Sequence, residues 1–246
     1  MRHLALIGVA GAWLIGASAP AQTPPAAPQP RAATRTMYTR TTELFAEWQP
    51  LVVGQATRVT AYLTRTGDRF QPYAEGKVTL TLTVGAATVN AAANGPERPG
   101  VFRLNVTPTK DGAGRIVIDV EATTGPQHFV SDDVPVYADV RAALAKEIPE
   151  ETGWISYAKE RSWEDDFATA PVTVYFPGSA SIVMVPATAL VRDGDTSRIY
   201  VQRTPQRFEL REVKTRRMIG NAIEITNGLR AGERIVVRGA DKMPRQ

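Results

Sequence analysis

Val78-Thr-Leu-Thr-Leu-Thr-Val84 decides the fold class, because its apolar residues recur at every second position. That period places Val78, Leu80, Leu82 and Val84 on one face of an extended chain and three threonines on the other, the pattern of a strand with one buried face. The same alternation recurs at Val59, Ala61 and Leu63, at Phe102, Leu104 and Val106, and at Ile116, Ile118 and Val120. Turn-forming strings separate these runs: Thr66-Gly67-Asp68, Asn94-Gly95-Pro96, Arg98-Pro99-Gly100 and Lys110-Asp111-Gly112. Short strands at this spacing predict an antiparallel β-sandwich over residues 42–139.

Downstream the character changes twice. Residues 140–170 read as a short helical connector, in which Val140 opens a run of helix formers and Pro149 ends it. Within it, residues 153–163 are expected to form a second short helix with Trp154, Tyr157 and Ala158 on one face. Residues 171–243 return to β, with apolar runs at 182–185, 199–201, 223–225 and 235–237, broken by turns such as Asp193-Gly194-Asp195 and Asn227-Gly228. They predict a small C-terminal β domain, so the chain as a whole reads as mainly β.

The start of the chain carries a different signal. Met1-Arg-His precedes an apolar run from Leu4 to Ile15 and the small residues Gly16 to Ala21, which together read as a secretory signal peptide over residues 1–21. Twelve apolar residues are too few to span a bilayer, and Ala19 and Ala21 favour cleavage after Ala21. Residues 22–41, with Pro24, Pro25, Pro28 and Pro30, read as an extended tether. Export into the periplasm is therefore expected, and without cysteine the mature chain has neither a disulfide nor a lipidated cysteine.

A formal charge of +4 spread over 246 residues is too small to argue for a nucleic-acid partner. Arg216 and Arg217, with Lys242 and Arg245 in the tail, could make peripheral contact with an anionic inner membrane, or simply form a solvated basic face. Catalysis has little to work with. His128 is the one histidine after the signal and is expected in a turn, which leaves no nucleophile, base and acid to assemble. The acidic pairs Asp132-Asp133 and Glu150-Glu151 and the run Glu164-Asp165-Asp166 lack calcium-loop spacing and read as surface charge. Met37, Met184, Met218 and Met243 are too dispersed for a soft-metal motif, and phosphate-binding glycine loops are missing. The expectation is a protein that is not an enzyme and uses no cofactor or metal.

Longer strings point further. Thr42-Glu-Leu-Phe-Ala-Glu-Trp-Gln-Pro-Leu-Val-Val-Gly-Gln55, Ala61-Tyr-Leu-Thr-Arg65, Glu75-Gly-Lys-Val-Thr-Leu80, Arg98-Pro-Gly-Val-Phe102 and Gly153-Trp-Ile-Ser-Tyr-Ala-Lys-Glu160 resemble one family: periplasmic adaptor subunits, or membrane fusion proteins, of resistance-nodulation-division (RND) efflux pumps of the cobalt-zinc-cadmium type. Val185-Pro-Ala-Thr-Ala-Leu-Val-Arg-Asp-Gly194, Phe208-Glu-Leu-Arg-Glu-Val213 and Gly228-Leu-Arg-Ala-Gly-Glu-Arg-Ile-Val-Val-Arg-Gly239 are similar to the membrane-proximal domain of that family. The resemblance implies an efflux accessory for heavy metals or drugs that docks on an inner-membrane RND pump or on full-length adaptor subunits. Within the Gly228 to Gly239 segment, Arg230, Arg234 and Arg238 are the candidate docking contacts, the alternative being that they solvate a strand edge.

One departure from the family is large. Where its members carry a lipoyl-like domain, an α-helical hairpin and a β-barrel, this chain passes from Val172 almost directly through Tyr175-Phe-Pro-Gly178 into the last domain. No heptad pattern marks a long hairpin anywhere. Two further readings therefore stand beside the docking subunit: a non-functional remnant of a full-length adaptor, and a stand-alone periplasmic ligand- or metal-binding module.

Overall fold

The structure, a computed structural model, describes residues 31–146, 152–175 and 182–245. The signal segment, the first part of the tether and the Glu150-Glu151 pair lie outside the described residues. The first half contains β1 (Ala33–Tyr38), β2 (Thr42–Trp48), β3 (Leu51–Val52), β4 (Thr57–Arg65), β5 (Gln71–Pro72), β6 (Lys77–Val84), β7 (Ala87–Ala93), β8 (Val101–Val106), β9 (Gly112–Glu121) and β10 (Gln127–Tyr137). They form two five-stranded sheets. One runs β1-β2-β4-β5 with β8 also on β4, and the other runs β3-β10-β9-β6-β7. All the pairings are antiparallel except β3 with β10.

Alternation in β6 works as its sequence predicts: Val78, Leu80, Leu82 and Val84 are buried between the sheets, and the threonines are half-exposed. The partner face comes from Leu44, Ala46 and Trp48 on β2 and from Val59, Ala61 and Leu63 on β4. Burial in β2 does not alternate, however. Glu43 and Phe45, on its other face, are as buried as Leu44 and Ala46, because a second layer covers that side.

β1 lies in the stretch read as tether. Its six residues pair with β2 from Ala33 opposite Trp48 to Tyr38 opposite Glu43, and Met37 packs against the sandwich core. The prolines that argue for a tether all precede it, and the segment itself is rich in β-branched threonine, which suits a strand on an open edge. His128 also differs from expectation. It belongs to β10, not a turn, and its exposed Nδ1 lies 2.6 Å from Oδ1 of Asp119, its cross-strand partner on β9.

The connector holds two short helices, α1 (Val140–Leu144) and, after the two-residue strand β11 (Ile155–Ser156), α2 (Arg161–Glu164). Asp139 caps α1 by accepting the Ala142 N–H at 2.8 Å. The helix expected over 153–163 is therefore confined to its last residues. Ile155, Tyr157 and Lys159 are buried while Ser156 and Ala158 are exposed, a period of two that belongs to extended chain.

From there the chain runs through β12 (Ala168–Pro171), β13 (Val174–Tyr175), β14 (Ile182–Pro186), β15 (Leu190–Asp193), β16 (Thr196–Thr204), β17 (Arg207–Glu212), β18 (Lys214–Ile219), β19 (Ala222–Asn227) and β20 (Arg234–Arg238). One sheet is ordered β11-β17-β16-β20-β12 with β15 on β16, and the other β13-β14-β19-β18. Val185, Ile199, Val201, Ile223, Ile225 and Ile235 are among the residues of the core between them. Two strands from the connector, β11 and β12, thus complete the six-stranded sheet.

A third core joins the halves. Phe45, Tyr62 and Phe70 from the sandwich meet Tyr157, Trp163 and Phe167 from the connector and Phe208 from β17. Ring centroids are 5.6 Å apart for Phe45 and Tyr62, 5.1 Å for Tyr157 and Phe167, and 5.9 Å for the edge-on pair Phe167 and Phe208. Such aromatic pairs add about 0.5–1.5 kcal/mol each beyond the area they bury.

Candidate docking site

The segment from Gly228 to Gly239 begins in a turn that only glycine can open. Gly228 has φ +102°, and a Cβ there would lie 2.6 Å from the Glu212 carbonyl oxygen. The turn is then fastened to the neighbouring strand by Arg211 of β17. Its Nη1 donates to both Glu233 carboxylate oxygens at 2.9 Å and to the Gly228 carbonyl at 3.0 Å, and Glu233 Oε2 accepts the Arg230 N–H at 2.8 Å. On its other side, Arg211 grips Glu209 through Nε and Nη2, both at 2.8 Å, and Arg203 bonds the same carboxylate.

This arrangement shifts Glu209 strongly. Hydrogen bonds from Arg211, opposed by partial burial and reinforced by Arg203, hold its carboxyl at about 2, well below its ordinary 4.5, and Glu209 in turn raises the Arg211 pKa. A carboxylate with a depressed folded-state pKa stabilises the fold above its unfolded pKa, and that contribution disappears as pH falls from 4.5 through about 2. Glu209→Gln is expected to cost about 1–2 kcal/mol at neutral pH after allowance for solvent screening. In urea titrations the gap from wild type should close below the unfolded carboxylate pKa. A gap that stays constant with pH would exclude this origin.

The three candidate arginines occupy three different environments. Arg230 is exposed and lines a cleft of about 420 Å³ together with Arg203, Arg211 and Leu229. Arg234 turns inward: Nη2 donates to the Thr169 carbonyl at 3.0 Å, and the guanidinium lies 4.2 Å from the Tyr38 ring centre. Arg238 is exposed and faces Asp166 at 3.3 Å, in a second cleft of about 460 Å³ with Arg192, Lys242 and Arg245. Arg230 and Arg238 are therefore open to a partner, whereas Arg234 holds strand β1 to the six-stranded sheet.

Beside Arg234 lies a polar chain that crosses between the halves. Lys159 Nζ meets Glu43 Oε1 at 2.5 Å, with side chains 1% and 0% exposed. Glu43 Oε2 accepts the Tyr38 hydroxyl at 2.8 Å, and Tyr38 Oη accepts from Gln202 Nε2 at 3.0 Å. Phe70 and Trp163 rings lie 4.9 and 5.9 Å from the ammonium. Burial pulls the Lys159 pKa below its ordinary value, with the Glu43 carboxylate opposing it. Sequence reading missed this chain of contacts. Its one local signal is Glu43 beside the apolar Leu44-Phe45-Ala46, a charge where a core strand has no use for one.

Among the described residues, no three of His, Cys, Asp and Glu lie together as a metal-ligand set. No helix there is long and apolar enough to cross a membrane.

Residues 183–240, which contain all three arginines, match the family described as the CzcB C-terminal circularly permuted SH3-like domain. Among solved structures, the crystal structure of ZneB from Cupriavidus metallidurans aligns with 15% identity and a TM-score of 0.25 over 77% of this chain. The aligned part covers 42% of the ZneB chain, less than half its length. A search of curated protein sequences finds no match.

Proposed function

We propose that this chain is a periplasmic adaptor-like subunit of an RND efflux system for heavy metals or drugs, acting by protein docking and not by catalysis. The observation that carries this reading is the match of residues 183–240 to the CzcB C-terminal domain. The partner surface is the open face beside the Gly228 turn, where Arg230 borders a cleft whose floor is fixed by the Arg211 ion pairs. Arginine in a pre-shaped polar cleft suits a partner carboxylate, which it can bind in two-pronged fashion. The aromatic core between the halves supports a working subunit over a remnant, since the shortened chain buries its own junction.

Co-purification tests the reading. The tagged chain should bring down an inner-membrane RND pump or a full-length adaptor in mild detergent, and Arg230→Glu should reduce that recovery about tenfold. Recovery of neither partner, with no rescue of metal or drug resistance in an adaptor-deletion strain, would reject it.

A further inference from the structure

The hairpin of β18 and β19 borders the docking cleft at its base, where Asn227 lines it, and carries its tip to the opposite end. All six residues of β18, Lys214-Thr-Arg-Arg-Met-Ile219, are exposed, and β18 is the last strand of its sheet. At its end Met218 and Ile219 are 60% and 52% exposed, the most exposed large apolar side chains among the described residues. They adjoin the two-residue turn Gly220-Asn221, where Gly220 has φ +58°. Consecutive strand residues point to opposite faces, so Met218 and Ile219 flank the hairpin end on both sides, as an apolar point entering end-on requires.

Charge surrounds that tip. Arg217 Nε donates to Glu224 Oε2 at 2.8 Å, and Arg216 lies 3.5 Å from the other oxygen. Glu224 is buried while both arginine side chains are more than half exposed. Two guanidinium groups on one carboxylate leave a surplus positive charge near the tip, and Lys214 adds another farther along the same edge strand, opposite Asn227. Basic heads on flexible stems around an apolar point suit a surface with anionic groups above and hydrocarbon beneath.

The edge itself is poorly made for strand addition. Its pairing with β19 shifts register between Lys214 and Thr215 and again between Thr215 and Met218, and irregularity and basic side chains both block an incoming strand. The clefts of a second copy offer little match to this basic tip, because their acidic lining residues, Glu233 in one and Asp166 and Asp241 in the other, are already paired with Arg211, Arg238 and Lys242. We infer that the β18–β19 tip is a peripheral membrane contact, with Met218 and Ile219 entering the headgroup boundary and Lys214, Arg216 and Arg217 binding anionic phospholipid. The inference goes beyond protein docking and needs no pump.

Sedimentation with vesicles tests it on the full chain purified after export. The protein should pellet with vesicles containing about one-third phosphatidylglycerol in phosphatidylcholine and remain in solution with phosphatidylcholine alone, and high salt should release it. Replacing Met218 and Ile219 together by serine should weaken binding about tenfold without changing the melting temperature. Lys214→Gln and Arg216→Gln should each weaken it about fivefold, with Arg217 left to neutralise Glu224 so that the hairpin keeps its fold. Equal pelleting with both vesicle types, no pelleting with either, or unaltered binding of the serine variant would overturn the inference. Because no pump is present, failure here leaves the docking proposal untouched.

Discussion

Lys159→Met is expected to destabilise the protein by about 3–5 kcal/mol, close to the largest effect of any single substitution in this chain. Methionine fills similar volume, so the loss arises from the partner left behind. Glu43 is completely buried under the connector, and without the ammonium its Oε1 faces the Phe70 and Trp163 side of the joint with its paired charge gone, which the Arg234 guanidinium against Tyr38 offsets only in part. The Tyr38 hydroxyl on Oε2 offsets only part of that desolvation. Glu43→Gln added to Lys159→Met removes the charge while keeping an acceptor for Tyr38, and should bring stability back to within about 1–2 kcal/mol of wild type. Urea denaturation of the single and double variants measures both. If the single substitution costs less than about 1 kcal/mol, the pair does not hold the halves together in the way its burial implies.

That joint explains which parts of the fold were legible in the sequence. β6 was legible because one face meets the core and the other meets solvent, so Val78 to Val84 alternate. β2 has no such alternation, since the connector covers its outer face, and its polar Glu43 serves a partner more than a hundred residues away. Local periodicity cannot report a distant lid. The extended stretch from Ile155 to Lys159 was misread as helix for the same reason: its buried residues are aromatic or charged as well as aliphatic, and their period emerges only against Phe45, Phe70 and Phe208. The C-terminal turn was readable from its glycines. The separation of its arginines was not, because Arg234 is turned inward by β1, a strand that lies in the part of the chain read as tether.

Gly100→Ala is expected to cost about 2–5 kcal/mol, and Trp163→Ala about 3–5 kcal/mol, but the two should not add. Gly100 precedes β8 with φ +82°; its N–H donates to the Tyr73 carbonyl at 2.7 Å, and its carbonyl accepts from Leu63 at 2.8 Å. The backbone is thus held from both sides. A Cβ here would lie 2.7 Å from Cζ2 and Cζ3 of Trp163 and nearer still to Cη2. The indole cannot swing away freely, because its Nε1 donates to Thr64 Oγ1 at 2.9 Å on the buried outer face of β4. Gly100→Ala must therefore both strain φ and push out the ring that fixes α2 to β4. With Trp163 already replaced by alanine that space is empty, and the remaining cost of Gly100→Ala is the positive φ alone, about 1–2 kcal/mol. A double-mutant cycle measured by urea denaturation should then give a coupling of at least about 1 kcal/mol. Strict additivity would mean that the glycine is needed only for its backbone angle, and that the close approach of Trp163 to β8 contributes nothing to holding the C-terminal half against the sandwich.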